Sequence, residues 1–148
     1  MYKNILIATD GSELATRGLE QGLALAGGIG AKVTVLTVII PLETRMVQSA
    51  LAAGAYNPTA RYDESIKEEL RSRLEVINEK ATAHGVAVNV HHEIDEAPAE
   101  AIVRVAKREN CDLIVLSSHG YRGMRRLFLG RQTSEVLALS AIPVLVGR

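Results

Sequence analysis

The chain has 148 residues, 47% of them hydrophobic, which is enough for one well-buried core and too little for two ordinary domains, so a single domain over residues 1–148 is expected. Lysine plus arginine equals aspartate plus glutamate at 17 each, so no net field draws the chain to nucleic acid or an anionic membrane, and any basic site has to be local. Its single cysteine, Cys111, rules out an internal disulfide framework; no signal-peptide pattern precedes Lys3-Asn4-Ile5-Leu6-Ile7, and no apolar run approaches the roughly 20 residues that cross a bilayer. A soluble cytoplasmic protein is expected.

Short β-branched runs alternate with helical periods along the whole chain, which predicts an α/β fold whose parallel sheet carries helices on both faces. A first strand over 3–8 leads to a helix from Ser12 to Ala26, opened by Ser12-Glu13 and stopped by Gly27-Gly28. A second strand covers 32–38. From Ile39 to Pro58 periodicity is lost, and the alternatives are a mobile loop, a short helix or a distinct second site. The next helix, about Ala60 to His84, ends at His84-Gly85; its charges alternate on a solvated face, with Leu70, Leu74 and Ile77 on the buried stripe. A strand over 86–93 follows, then a helix from Ala97 to Arg108 with Pro98 in its first turn. Strand 112–117, a helix from Gln132 to Ser140 and strand 143–147 complete the order, with Cys111 expected to pack as a small apolar residue.

The segment that carries most chemical information is Ser117-Ser118-His119-Gly120, followed after Tyr121 through Leu129 by Gly130-Arg131-Gln132-Thr133. A small-residue turn between a strand end and a helix start is where backbone N–H groups converge on an anion. Its spacing is neither that of a Walker loop nor that of a dinucleotide fingerprint, so another ligand is cradled here or the turn is only structural. Gly120 and Gly130 lack the Cβ that would block close approach of the backbone to an anion, and Ser118 and Thr133 add hydroxyl donors. Asp10, closing the first strand, is placed either to accept from a ligand or to cap the helix that starts at Ser12. His119 reads as a turn residue, His84 as a helix end, and His91 and His92 point to opposite faces of a strand, so no metal cluster emerges. Neither an activated nucleophile nor a paired base can be named, which argues against an enzyme with substantial turnover.

These residues resemble the universal stress protein family, whose nucleotide-binding branch carries Gly-x-x-Gly, nine residues, then Gly-Ser/Thr. Ala8-Thr9-Asp10-Gly11-Ser12 at the end of the first strand, Val33 to Val38, and the terminal Ile142-Pro143-Val144-Leu145-Val146 agree with it, so the resemblance runs nearly end to end. It implies a doubly wound five-stranded parallel sheet of order 3-2-1-4-5 and a regulatory stress protein that holds ATP, with Mg²⁺, and acts through unknown partners with at most slow hydrolysis. Carried over by position, the adenine nucleotide site comprises Ala8, Thr9, Asp10, Val38, Ser117, Ser118, Gly120, Gly130, Arg131, Gln132 and Thr133. The resemblance also implies a homodimer through the C-terminal strand, an apolar edge in that sheet order. Its other branch, a nucleotide-free dimeric interaction module, is the alternative. Three positions depart from the pattern. Ser117 replaces the first glycine, disfavoured if the site needs a positive φ and tolerable if it needs only a small residue. Arg131 replaces the final hydroxyl, where a guanidinium either grips phosphate or obstructs the nest, with Arg122, Arg125 and Arg126 adding local positive charge. Glu96 stands two residues ahead of Pro98, where many relatives have glycine. A phosphoryl-accepting receiver of similar topology fails for want of its acidic cluster and lysine.

Overall fold

The computed structural model describes residues 1–118 and 130–148. Strands β1 (Asn4–Ala8), β2 (Lys32–Ile39), β3 (Val88–Ile94), β4 (Leu113–Ser117) and β5 (Val144–Gly147) form one parallel sheet in the order β3-β2-β1-β4-β5, as expected. Helices α1 (Glu13–Ile29), α2 (Thr44–Ala52), α3 (Pro58–Ala83), α4 (Pro98–Arg108) and α5 (Arg131–Leu139) connect or follow them. Register sets Ile5 beside Val33 and Leu113, and Val115 beside Leu145.

Because successive strand side chains alternate between faces, the continuous apolar runs divide into two cores. Ile5, Ile7, Val33, Val35, Leu113 and Val115 pack with Leu19, Leu23 and Ala26 of α1 and with Ile77 and Ala81 of α3. Leu6, Leu36, Ile114 and Leu116 pack on the other side with Ile102, Val103 and Ala106 of α4 and Val136 of α5. Cys111 is a buried free thiol in this second core, and burial pushes it up to about 11.

Several local signals act where the sequence places them. The Ala15 N–H donates to Ser12 Oγ at 3.1 Å, capping α1; Pro98 occupies the first turn of α4; and Gly85, at φ +66°, ends α3. Two expectations are corrected and one open alternative is decided. Helix α1 passes through Gly27-Gly28 and stops at Gly30, whose φ of +69° supplies the left-handed cap, with its N–H bonded to the Ala26 carbonyl. The irregular stretch after β2 contains α2, so the short helix is the alternative realised. On α3 Leu74 is 42% exposed, while the Arg73 side chain, 15% exposed, takes the inward position between Leu70 and Ile77. Among the described residues no helix is long and apolar enough to cross a membrane.

Candidate functional site

Strand β1 is the point at which the chain reverses its direction of travel across the sheet, with β2 on one side and β4 on the other. In open α/β sheets ligands bind beyond the carboxyl ends of such strands. A cavity of about 370 Å³ opens there, in the size range of small-molecule sites.

One wall is the turn from β1 into α1. The Thr9 N–H donates to the Leu36 carbonyl at 2.9 Å, tying the turn to β2. The Gly11 N–H donates to Thr9 Oγ1 at 3.2 Å, and the Ser12 N–H donates to Asp10 Oδ1 at 2.9 Å. The cap of α1 is therefore Ser12, and Asp10 shapes the turn with one carboxylate oxygen only. Its other oxygen, Oδ2, is buried and has no hydrogen-bond partner among the described residues. A buried acceptor of this kind is costly unless a donor arrives.

The opposite wall is built where β4 meets α5. The Ser118 N–H donates to the Gly147 carbonyl at 2.8 Å, and the Gly130 N–H donates to the Ser118 carbonyl at 2.7 Å, so β5, the end of β4 and the start of α5 are stitched together. Thr133 Oγ1 donates to the Ser117 carbonyl at 2.8 Å, so its proton is already committed and the expectation of a Thr133 donor is corrected: only its lone pairs remain, for a ligand donor. Ser117 is a strand residue outside the positive-φ region, so its backbone conformation does not disfavour serine. Gly130 has φ −57°, open to any residue, so its backbone conformation does not call for glycine. Among the described residues no side chain caps α5, whose cap residue is Gly130, and N–H groups at a helix start suit an anion.

Of the residues expected from the sequence, Ala8, Thr9, Asp10, Val38, Ser117, Gly130, Arg131, Gln132 and Thr133 line this one cavity. Ser118 is buried beside it without lining it, and Gly120, with His119, Arg122, Arg125 and Arg126, lies outside the described residues. The Arg131 side chain is 88% exposed, its Nε donating to Glu135 Oε1 at 2.8 Å. Such an exposed pair contributes only about 0.3–0.5 kcal/mol, little to hold the arm away from an anion. Gln132 Oε1 is a second buried atom without a partner among the described residues. Glu96 is exposed and outside the lining.

The remaining walls are apolar: Ala15, Leu36, Ile40, Pro98, Ile102 and Leu116. Sequence reasoning did not single these out for the site, because strand and helix residues that line a cavity carry the same pattern as those that fill a core. Pro98 had a signal, its helix-start position, but that speaks of backbone. Behind the Val38–Ile40 wall a smaller cleft of about 80 Å³ is closed by Tyr62, Ile66, Glu69, Leu70 and Arg73 of α3, and the Tyr62 hydroxyl donates to the Ile40 carbonyl. Among the described residues no group of three or more His, Cys, Asp or Glu gathers to hold a metal ion.

The sequence model of the universal stress protein family matches residues 1–148. The chain belongs to the universal stress protein family. Universal stress protein YxiE of Bacillus subtilis is 32% identical over 151 residues, an alignment covering all of both proteins. The solved structure of MJ0577, a universal stress protein of Methanocaldococcus jannaschii, superposes with a TM-score of 0.78 at 30% identity, covering 99% of this chain and 95% of that one. A universal stress protein solved in complex with cAMP superposes with a TM-score of 0.73 at 22% identity, covering 99% of this chain and 97% of that one, a likeness of fold.

Proposed function

We propose that the chain binds an adenine nucleotide, ATP accompanied by Mg²⁺, in the cavity beyond β1, β2 and β4, and acts as a regulatory stress protein through partners. The observation that carries this reading is the buried, unpartnered Asp10 Oδ2 in a cavity of nucleoside size. A ribose hydroxyl is the donor it lacks. Val38, Ile40 and Leu36 offer apolar walls to a flat base, and the uncapped start of α5 with Gly130 suits the phosphates. When bound, Mg²⁺ screens phosphate charge and takes most of its ligands from phosphate and water, which asks for no dedicated cluster of protein carboxylates. The cAMP complex of a family member supports an adenine ligand.

The chain's own residues position and shield such a ligand. No activated nucleophile or base with an orienting partner accompanies Asp10 among the described lining residues, so slow hydrolysis is the upper limit of the chemistry assigned. A nucleotide-free module of the same fold is the weaker reading, since it leaves two buried polar atoms unsatisfied. Homodimerisation through β5 belongs to the proposal, because among the described residues this edge strand pairs with β4 alone and leaves Leu145 exposed. Cytoplasmic residence is consistent with the free buried Cys111.

Two measurements test the nucleotide reading. Protein purified from cells is denatured and the released small molecules are identified by chromatography and mass; an adenine nucleotide at near-stoichiometric yield is expected. Calorimetry with ATP and Mg²⁺ on emptied protein is expected to show binding, and its absence at millimolar concentration would overturn the proposal.

A further inference from the structure

We infer that Gln132 determines sugar specificity, by receiving one ribose hydroxyl of the bound nucleotide while Asp10 receives the other. The inference rests on the adenine nucleotide reading of the cavity. Two buried side-chain atoms there have no hydrogen-bond partner among the described residues, Asp10 Oδ2 on the β1–α1 turn and Gln132 Oε1 on the first turn of α5. Both are acceptors, and each is costly to bury unless a donor reaches it. A nucleotide is a linear object, base then ribose then phosphate. The sheet order β2-β1-β4 sets the apolar wall of Val38 and Ile40 on the β2 side and the uncapped start of α5 beyond β4. With the base on the first and the phosphates on the second, the ribose spans the middle, bounded by Asp10, on the turn after the central strand, and by Gln132.

The ribose is the part of a nucleotide that carries two adjacent hydroxyls, so it answers two separate acceptors at once. The match does not depend on which way the amide is turned, because a hydroxyl donates to Oε1 or accepts from Nε2 equally well. A phosphate oxygen, which accepts only, cannot satisfy Asp10 Oδ2, and meets Gln132 only if the amide presents Nε2, the outcome that the phosphate arm of the test detects.

The test compares ATP with its 2′-deoxy and 3′-deoxy analogues by calorimetry, on the native protein and on Gln132→Met, which keeps the length of the side chain and removes its polar end. Leaving one buried acceptor without its donor is expected to weaken each deoxy analogue roughly 5- to 100-fold on the native protein. In Gln132→Met the penalty for one analogue should vanish while the other, read by Asp10, persists. Gln132→Glu, which retains an acceptor at the same reach, should restore the lost discrimination even where its charge lowers overall affinity. Equal binding of all three nucleotides by the native protein overturns the inference, as does a Gln132→Met variant that keeps both penalties. A change confined to the ratio of ATP to AMP affinity would place the amide on the phosphates and overturn it equally. Failure of the native protein to bind ATP at all would instead sink the nucleotide reading on which the inference stands.

Discussion

Gly11 and Arg73 occupy adjoining space so closely that a Cβ on Gly11 would stand 2.5 Å from Arg73 Nε. The glycine also has φ +78°, a conformation in which a side chain meets its own backbone. Gly11→Ala is therefore expected to destabilise the fold by roughly 1–2 kcal/mol. Because the same turn holds Asp10, nucleotide affinity should fall with it. Adding Arg73→Ala removes the collision but not the backbone strain, so chemical denaturation of the double variant should show part of the loss recovered. Full recovery would mean that the strain contributes nothing.

Two glycines of α1 predict opposite effects from the same substitution. A Cβ on Gly22 would lie 2.5 Å from Ile7 Cδ1, in the packed layer between helix and sheet, whereas one on Gly28 meets nothing within 4 Å. Gly22→Ala should lower stability by about 1–3 kcal/mol through overpacking. Gly28→Ala should raise it by about 0.5–1 kcal/mol, since alanine loses less backbone freedom in a helix. Urea midpoints that shift in the same direction would refute the packing argument.

Asp95 supplies a pH dependence. Its Oδ1 accepts from the Ala97 N–H at 2.8 Å and its Oδ2 from Arg104 at 3.0 Å, and these bonds hold its carboxyl below the usual carboxylate range. A depressed acid stabilises the fold above its unfolded-state pKa, and that contribution is lost as pH falls through the folded-state value. Asp95→Asn should accordingly be less stable than the native chain at neutral pH, with the gap closing on the acid side. Parallel stability curves across that range would show that Asp95 contributes nothing through its charge.

Arg131 and Gly130 separate charge from space at the phosphate end. Arg131 is free to exchange its exposed Glu135 partner for phosphate, so Arg131→Ser should weaken triphosphate binding more than monophosphate binding. Tighter binding by the variant would show an obstruction instead. Gly130→Val, tolerated by a φ of −57°, should abolish binding by filling the nest while leaving thermal stability close to native.

Strand β5 predicts assembly. Leu145 is 41% exposed on an edge strand, and Leu137 and Leu139 of α5 are exposed as well. Light scattering coupled to size exclusion should give twice the 16.0 kDa monomer mass, collapsing to the monomer for Leu145→Lys. A monomer mass for the native chain at micromolar concentration would refute the dimer.

The sheet was legible from the sequence because a parallel strand covered on both faces leaves an unbroken apolar run, as in Ile5 to Ala8 and Leu113 to Leu116, and each run is bounded by polar or small residues. Ser12, Pro98 and Gly85 were legible for a similar reason, each acting through its immediate neighbours. Of the site, the polar half was visible in advance: Asp10, Gly130 and the residues after it stand out against an apolar background.

What remained depended on contacts between segments distant in the chain. Nothing near Gly27-Gly28 forbids a helix stop, but the αL residue that ends α1 is Gly30, and the helix passes through both earlier glycines. Leu74 reads as core beside Arg73, yet Arg73 is turned inward, where Gly11, distant in the chain and lacking a Cβ, leaves room for its guanidinium end. Leu36, Ile40 and Ile102 are apolar whether they fill space or border it, and only the packing of β2 and α4 leaves a cavity between them. The buried, unsatisfied ends of Asp10 and Gln132 belong to the same class: sequence supplied the polar atoms, and burial without a partner, which makes them ask for a ligand, came from the tertiary fold alone.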